Sequence, residues 1–207
     1  MVILFARAPV AGQVKTRLAA GVGAEVALRL HTAFVRDVAA RALARFRVEL
    51  HLDEPTTAWP EINCPRRLQP PGDLGVRMHQ ALAEALARGL ERVAILGTDT
   101  PDLPEAHIEE LLQGETDVRL GPATDGGFWG ICCSRIVGTM FDGIPWSSTR
   151  TLEATEAACR AAGLSVSLAS AWSDVDEPKD LQRLAASASL DPAGPTAFEL
   201  RALNLLA

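Results

Sequence analysis

Long apolar runs are missing from this sequence. The opening stretch VILFA (2–6) is followed at once by Arg7, well short of the roughly 7–15 apolar residues of a signal-peptide core. It is also far short of the roughly 20 apolar residues that a membrane-spanning helix needs. We therefore predict a cytoplasmic protein with no membrane span.

Cysteine and histidine are also scarce, and neither is arranged as a metal site would require. The chain has four cysteines, Cys64, Cys132, Cys133 and Cys159, and four histidines, His31, His51, His79 and His107. No two cysteines have the CxxC spacing, and no histidines are paired near them. The sequence therefore predicts neither a zinc site nor a disulfide framework, and we assign the histidines no ligand role.

Positive charge is in deficit. The formal net charge is -6, and among the 20 basic residues only Lys15 and Lys179 are lysines. A protein that binds the phosphate backbone of nucleic acids needs clustered positive charge. The sequence thus argues against a nucleic-acid partner, and any site for an anion must be local.

The composition is that of an ordinary folded protein, with 48% hydrophobic and 22% charged residues in 207. Because single domains commonly run to roughly 100–200 residues, we predict one domain over residues 1–207. The tail after about residue 187 is expected to be peripheral. The proline-rich segment 53–73 is interpreted either as a lid with a role in substrate specificity or as a simple insertion.

Short apolar runs alternate with longer helical patterns along most of the chain. The runs that predict strands are 2–6, 48–52, 93–97, 118–121, 128–133 and 166–170. The helical patterns cover 24–44, 74–88, 105–112 and 149–162, and another helix is expected after Pro178. This alternation predicts an α/β fold whose mostly parallel sheet has helices on both faces. An Asp-Gly pair between two of the runs predicts a hairpin, which makes the sheet mixed.

The segment GQVKTRL (12–18) places a glycine, a lysine and an arginine together directly after the first strand. Backbone N–H groups of such a turn can bind an anion, Lys15 supplies a mobile charge, and Arg17 supplies a planar fork suited to phosphate oxygens. Val14 occupies the position where a Walker A loop needs glycine, so an ordinary P-loop is excluded. The alternative is a solvated turn with two basic residues.

Asp99 follows the strand 93–97 in the segment LGTDTPDLP (96–104). Ligands of open α/β sheets bind outside the carboxyl ends of the strands, so we expect Asp99 to bind a divalent cation there. Asp102 stands three residues before Glu105, the spacing of a capping box, and is expected to cap the helix that follows.

Two further segments carry acidic residues next to turns. In TDGGFW (124–129), Asp125 is a candidate ligand contact, and Gly126 and Gly127 would let the backbone approach a sugar or base. The alternative interpretation of this segment is a plain hairpin turn with no ligand. In SDVDEPKDL (173–181), either Asp174 or Asp176 could cap the next helix. One of them could instead point toward Asp99 and share a divalent cation with it.

Taken together, these segments resemble a family of bacterial glycosyltransferase-like proteins, also known as radical-SAM/selenodomain-associated transferases. The family is a branch of the nucleotide-diphospho-sugar transferase superfamily, and the resemblance covers residues 1–184. It implies a Rossmann-like, three-layer α/β/α sandwich of the GT-A type.

The resemblance also implies roles for individual residues. The loop with Gly12, Lys15 and Arg17 matches the family's basic phosphate-binding loop, and Asp99 and Asp176 match its two metal positions. The "DGG" motif of the family, near its sugar or acceptor pocket, matches Asp125, Gly126 and Gly127. Arg7, which stands where many relatives have lysine, belongs with the nucleotide-binding residues.

We therefore expect a transferase that depends on Mg²⁺ or Mn²⁺ and binds a nucleotide-sugar or a nucleoside triphosphate through its diphosphate. Lys15, Arg17 and Asp99 would be its catalytic residues, and the acceptor is an unidentified small molecule. The family resemblance favours glycosyl transfer, whereas the position of the basic loop favours nucleotidyl transfer. A catalytically silent nucleotide-binding protein is the third interpretation.

Overall fold

A seven-stranded sheet forms the centre of the protein, for which the computed structural model describes residues 1–206. The strands are β1 (Val2–Ala6), β2 (Val48–Leu52), β3 (Arg66–Leu68), β4 (Val93–Gly97), β5 (Val118–Pro122), β6 (Phe128–Cys133) and β7 (Val166–Leu168). Their order in the sheet is β3-β2-β1-β4-β6-β5-β7. Strand β6 is antiparallel to both β4 and β5, and all other pairs are parallel. The mixed sheet and its hairpin are thus confirmed.

Within these described residues, seven helices surround the sheet. They are α1 (Thr16–Val22), α2 (Ala24–Arg45), α3 (Leu74–Ala87), α4 (Glu105–Leu112), α5 (Thr151–Ala161), α6 (Pro178–Ala185) and α7 (Pro195–Ala202). Alternate residues of each strand face opposite sides, so Leu4 packs in a core with α2 and α4, while its neighbour Ile3 packs in a second core with α3 and α5. This is the predicted three-layer α/β/α sandwich. No helix within residues 1–206 is both long and apolar enough to cross a membrane.

The register of the central strands determines where the site lies. Strands β1 and β4 are adjacent and parallel, and Phe5 pairs with Gly97. Two loops therefore leave the sheet side by side, the basic loop after β1 and the loop that begins with Thr98 and Asp99. This is the edge at which open α/β sheets bind their ligands.

The C-terminal tail is not peripheral, contrary to the expectation from its sequence. Its helix α7 packs on α2, and Ala197 and Leu200 are fully buried in a third core with residues of α1, α2 and α6. The carboxylate of Asp37 on α2 accepts a hydrogen bond of 2.9 Å from the backbone N–H of Thr196, in the first turn of α7. The short strand β3 and the helix α1 were likewise not predicted, because neither carries enough residues to show a periodic pattern.

The expected helix caps are also wrong. Helix α4 begins after Pro104, and the fully buried Asp102 instead accepts hydrogen bonds from Trp172 Nε1 at 3.2 Å and Arg183 Nη1 at 3.5 Å. Helix α6 is capped by Glu177 and Asp180, which form a reciprocal capping box. Neither Asp174 nor Asp176 caps a helix, so both carboxylates are available for the site.

Candidate active site

The basic loop turns sharply between β1 and α1. Gly12 has a φ of 77° and Lys15 a φ of 48°, so both residues adopt the left-handed conformation, while the buried side chain of Val14 anchors the loop between them. Such a backbone is easy for glycine but unfavourable for lysine. In this conformation the Lys15 side chain runs into the protein, where it is only 5% exposed.

The Lys15 ammonium lies between two carboxylates. Its Nζ is 2.5 Å from Oδ1 of Asp99, 2.9 Å from Oδ1 of Asp176 and 2.8 Å from the carbonyl oxygen of Val175. It also lies 5.7 Å from the centroid of the Phe34 ring. Burial lowers the pKa of Lys15, but Asp99 and Asp176 outweigh this effect, so the pKa lies above its usual value and the amine is charged.

A backbone contact brings the two aspartates together although they are far apart in sequence. The N–H of Val175 donates to the carbonyl oxygen of Asp99 at 2.9 Å, and the Val175 side chain is fully buried. The neighbouring Asp176 is thereby held beside the carboxyl end of β4. The sequence predicted this meeting only as one of two possibilities for the SDVDEPKDL segment.

Arginines complete the charged surface around this pair. Arg17 Nη2 is 2.5 Å from Oδ2 of Asp176, and the Arg17 side chain is 62% exposed. Arg7 is 64% exposed, and its Nε lies 3.3 Å from Oδ2 of Asp53. Both guanidinium groups therefore have N–H donors free to meet a ligand from solvent.

A cavity of about 360 Å³ opens above these groups. The predicted site residues in its lining are Arg7, Lys15, Arg17, Asp99 and Asp176. The remaining predicted residues, Gly12, Asp125, Gly126 and Gly127, do not line it. Asp125 instead lines a second cavity of about 180 Å³, which shares Arg17 and Asp176 with the first.

The segment 123–127 forms the turn of the β5–β6 hairpin. Oδ1 of Asp125 accepts a hydrogen bond of 2.8 Å from the N–H of Gly127, and the carbonyl oxygen of Gly127 accepts one of 2.9 Å from Ala123. Gly126 has a φ of 90°, and a Cβ atom there would lie 2.1 Å from the carbonyl oxygen of Thr149. Close approach to the segment before α5 therefore requires this glycine, whether or not the turn also binds a ligand.

Gly126→Ala is expected to lower the free energy of unfolding by on the order of 3 kcal/mol, through backbone strain and the clash with Thr149. Gly138→Ala is the matched control, since a Cβ atom at Gly138 would meet nothing within 4 Å. Urea denaturation of both variants measures the difference. Equal losses would show that Gly126 is not held in this close approach.

Three carboxylates meet in the smaller cavity. Oxygens of Asp125, Asp174 and Asp176 lie within 4.8 Å of one another. Asp174 Oδ1 is buried and has no hydrogen-bond partner among the described residues. Burial, followed by the charges of Asp99, Asp176 and Asp125, raises the pKa of Asp174 to about 7. A buried carboxylate oxygen without a donor, next to two other carboxylates, fits a hard divalent cation such as Mg²⁺ or Mn²⁺.

Two residues that the sequence analysis did not assign support the basic loop. Oδ1 of Asp53, directly after β2, accepts a hydrogen bond of 2.6 Å from the N–H of Ala8. His31 on α2 is buried and lines the larger cavity, and its Nε2 lies 3.0 Å from the carbonyl oxygen of Arg7. Burial, the largest influence, lowers the pKa of His31. The strand-end rule that singled out Asp99 applies equally to Asp53, whereas nothing in the pattern of α2 distinguishes His31.

A solved structure similar to this chain along nearly its whole length is that of a protein from Desulfovibrio desulfuricans G20 assigned as a nucleotide-diphospho-sugar transferase. The two sequences are 30% identical, the match covers 98% of this chain and 94% of the other, and the TM-score is 0.88. Such agreement confirms the expected fold class.

More distant structures share the fold alone. CMP:2-keto-3-deoxy-manno-octonic acid synthetase, solved with CTP, is 16% identical with a TM-score of 0.56, and the match covers 88% of this chain and 95% of the other. A cytidylyltransferase from Leptospira borgpetersenii serovar Hardjo-bovis (strain JB197) is 12% identical with a TM-score of 0.56, and the match covers 98% and 92%.

A search of curated proteins found no match. Residues 23–148, more than half of the chain, match the profile of one protein family. The family is described as "Uncharacterized protein conserved in bacteria (DUF2064)". The matched range contains Asp99 and Asp125, while the basic loop and Asp176 lie outside it. Together with the similarity over almost the full length to the Desulfovibrio structure, this match shows that the chain belongs to the bacterial family DUF2064.

Proposed function

We propose that this protein is a transferase that binds a nucleotide through its phosphates and depends on a divalent cation. One observation carries the proposal: Lys15, Arg17, Asp99 and Asp176 converge at one cavity outside the carboxyl ends of β1 and β4. Cationic and anionic side chains side by side are what a phosphate chain with a bound cation requires, because each recognises one of the two partners. A cavity of about 360 Å³ suits a small-molecule ligand.

The arginines are the groups best placed to make the first contact with phosphate. Arg17 and Arg7 are both more than half exposed and keep free N–H donors beside the cavity. A guanidinium group matches two phosphate oxygens at once. Asp53 and His31 hold the backbone from which Arg7 projects, so the loop is positioned before the ligand arrives.

Asp176 is the residue we propose to hold the cation, because it belongs to both candidate sets of ligands. It faces Asp99 across Lys15, and it faces Asp125 and Asp174 in the smaller cavity. A bound divalent cation would offset the negative charge that develops on the leaving phosphate. Lys15 and Arg17 would stabilise the same charge, so transfer needs no nucleophilic side chain from the protein.

Nucleotidyl transfer is the reaction that this arrangement favours. Both cations of the basic loop meet at Asp176 beside the cavity, where a bound divalent cation would free them to bind the phosphates of a triphosphate, the more highly charged of the two donors. The similarity in fold to a cytidylyltransferase and to a synthetase solved with CTP supports this choice. Glycosyl transfer is the second candidate, which the assignment of the Desulfovibrio relative as a nucleotide-diphospho-sugar transferase supports. In either case the acceptor is a small molecule.

The test begins with thermal unfolding in the presence of each nucleoside triphosphate and each common nucleotide-sugar, with Mg²⁺, Mn²⁺ or a chelator. Ligands that bind the native state raise the melting temperature by mass action. Ligands that do so are then incubated with candidate acceptors, and the release of pyrophosphate or of nucleoside diphosphate is followed. Pyrophosphate supports nucleotidyl transfer and nucleoside diphosphate supports glycosyl transfer. Nucleotide binding without either product would leave only a silent nucleotide-binding protein.

Asp99→Asn tests the predicted metal pair. We expect the concentration of Mg²⁺ that gives half-maximal turnover to rise by about tenfold or more, because a carboxylate ligand becomes a neutral amide. Asp142→Asn, on an exposed turn that lines neither of these two cavities, is the control. An unchanged Mg²⁺ dependence in Asp99→Asn would assign the cation to the set with Asp125 and Asp174 instead.

A further inference from the structure

We infer that Lys15 is an internal counter-cation of the site and that it exchanges partners when ligands bind. In the free protein its ammonium group lies between Asp99 and Asp176 and offsets one of their two negative charges. When a divalent cation takes these carboxylates, the ammonium group is released toward the cavity, where a phosphate can accept it. The release rests on the divalent cation of the proposed function and not on transferase activity, whereas the transfer to phosphate also rests on the proposed nucleotide.

The hydrogen bonds of Lys15 support this inference. An ammonium group has three N–H donors and no acceptor. In the structure three oxygen atoms lie within 2.9 Å of Nζ, one each from Asp99, Val175 and Asp176. Every donor is therefore used inside the protein. Lys15 cannot bind a phosphate, the role its sequence predicts, unless it gives up at least one of these partners.

The location of the ammonium group supplies the second argument. The Oδ1 atoms of Asp99 and Asp176 both contact Nζ, so the nitrogen lies where a cation shared by these two oxygens would have to lie. Two positive ions cannot share that position, because they would overlap and repel each other. Lys15 and a divalent cation bridging Asp99 and Asp176 therefore exclude each other.

The surroundings allow the side chain to leave. Lys15 directly precedes the first residue of α1 and lines the cavity of about 360 Å³. Its four-carbon stem is flexible. The neighbouring side chain of Arg17 is exposed and already faces solvent. Rotation of the stem would carry the charge from Asp99 and Asp176, whose side chains are 45% and 24% exposed, into the cavity without moving the core.

This exchange couples the two ligands of the site. The free protein should bind a divalent cation weakly, because the cation must first displace Lys15. A phosphate-bearing ligand accepts the displaced ammonium group and so lowers the cost of the displacement. Cation and nucleotide should therefore strengthen each other's binding by the same factor, as thermodynamic linkage requires.

Lys15→Met tests the exclusion directly, because methionine keeps an unbranched, flexible stem but has no charge. Mn²⁺ binding to the nucleotide-free protein is measured by calorimetry. We expect the variant to bind Mn²⁺ about tenfold more tightly or better, since the competing cation is gone. Adding Asp99→Asn should abolish the gain. Arg160→Met, which removes a 58% exposed cation on α5 that lines neither of the two cavities, is the control and should alter Mn²⁺ affinity little. An unchanged or weaker Mn²⁺ affinity in Lys15→Met would overturn the inference.

A second measurement uses the unaltered protein, in case Lys15→Met does not fold. With lysine as the labelled amino acid, this chain gives only two Cε signals in a carbon-13 NMR spectrum, one from Lys15 and one from Lys179. Lys179→Arg assigns them. Saturating Mg²⁺ should shift the Lys15 signal, and a nucleoside triphosphate added next should shift it again. A Lys15 signal that stays unchanged at Mg²⁺ saturation would overturn the inference.

The outcome is independent of whether the protein is a transferase. If Lys15→Met gains Mn²⁺ affinity and no donor releases pyrophosphate or nucleoside diphosphate, the exchange stands and the proposed function fails. If a donor is turned over and Lys15→Met gains no Mn²⁺ affinity, the proposed function stands and the exchange fails.

Discussion

Asp176→Asn is expected to reduce turnover by about 10²- to 10³-fold, the loss typical for removing one preorganised electrostatic group from an active site. Three charged interactions depend on this carboxylate: it contacts the ammonium of Lys15, it contacts the guanidinium of Arg17, and it lies in both candidate sets of cation ligands. An amide keeps the shape of the side chain but loses the charge on which all three interactions rest.

Steady-state kinetics with the identified donor at several Mg²⁺ concentrations measures the effect. If Asp176 chiefly holds the cation, excess Mg²⁺ should restore part of the lost turnover. If it chiefly orients Arg17, the loss should persist at saturating Mg²⁺ and resemble that of Arg17→Ala. Asp142→Asn serves again as the control. Turnover within about threefold of the parent protein, a difference under 1 kcal/mol in the barrier, would contradict our assignment of the site.

Asp174→Asn should stabilise the cation-free protein at alkaline pH. Burial and the neighbouring carboxylates raise the pKa of Asp174 to about 7, whereas an unfolded aspartate has a pKa of about 3.9. Between these values the folded state holds a proton that the unfolded state has lost. The stability of the parent protein therefore falls as pH rises from about 4 to about 7, by on the order of 4 kcal/mol.

The asparagine variant lacks this titration, so its stability should fall less over the same range. At pH 8 in a chelating buffer we expect it to unfold at a higher denaturant concentration than the parent, with the difference shrinking toward pH 5. Guanidinium titrations at pH 5, 6, 7 and 8 measure this, and Asp142→Asn should follow the parent. Parallel pH profiles for parent and Asp174→Asn would show that Asp174 does not carry the extra proton.

If Asp174 is a cation ligand, divalent cations should reverse the order of stability of the parent protein and Asp174→Asn. A cation bound to the native parent raises its stability by mass action and favours the ionised carboxylate. The neutral amide of Asp174→Asn would weaken that binding. We therefore expect added Mg²⁺ to stabilise the parent at pH 8 more than the variant, and equal gains would place the cation elsewhere.

Much of the fold could be predicted because its main elements carry strong local signals. The strands 48–52, 93–97 and 128–133 and the long helix α2 lie where the apolar runs and the helical pattern place them, to within a residue at each end. Buried strands and amphipathic helices repeat apolar residues at fixed intervals, so the sequence pattern predicts where they lie. Elements without such repeats, the three-residue β3 and the tail helix α7, went unnoticed.

The candidate site was predictable in its parts and not in its contacts. Asp99 was found because the carboxyl end of a parallel strand is a place for ligands, and the basic loop because its residue types suit phosphate. No local pattern reveals that Lys15 donates to the carboxylates of Asp99 and Asp176, which lie 84 and 161 positions further along the chain. Asp174 was seen only as a possible cap or ligand, because its burial depends on segments distant in sequence.

The sequence by itself determined the layered α/β architecture and the kinds of chemical group present at the site. Short-range periodicity decides which faces are buried, and side-chain chemistry is a property of each residue alone. Only the tertiary structure decided that Lys15 is bound by Asp99 and Asp176, that Asp174 has a buried oxygen without a donor, and that the tail completes a core. These features depend on distances between residues remote along the chain, and such distances exist only once the sheet and its helices have packed together.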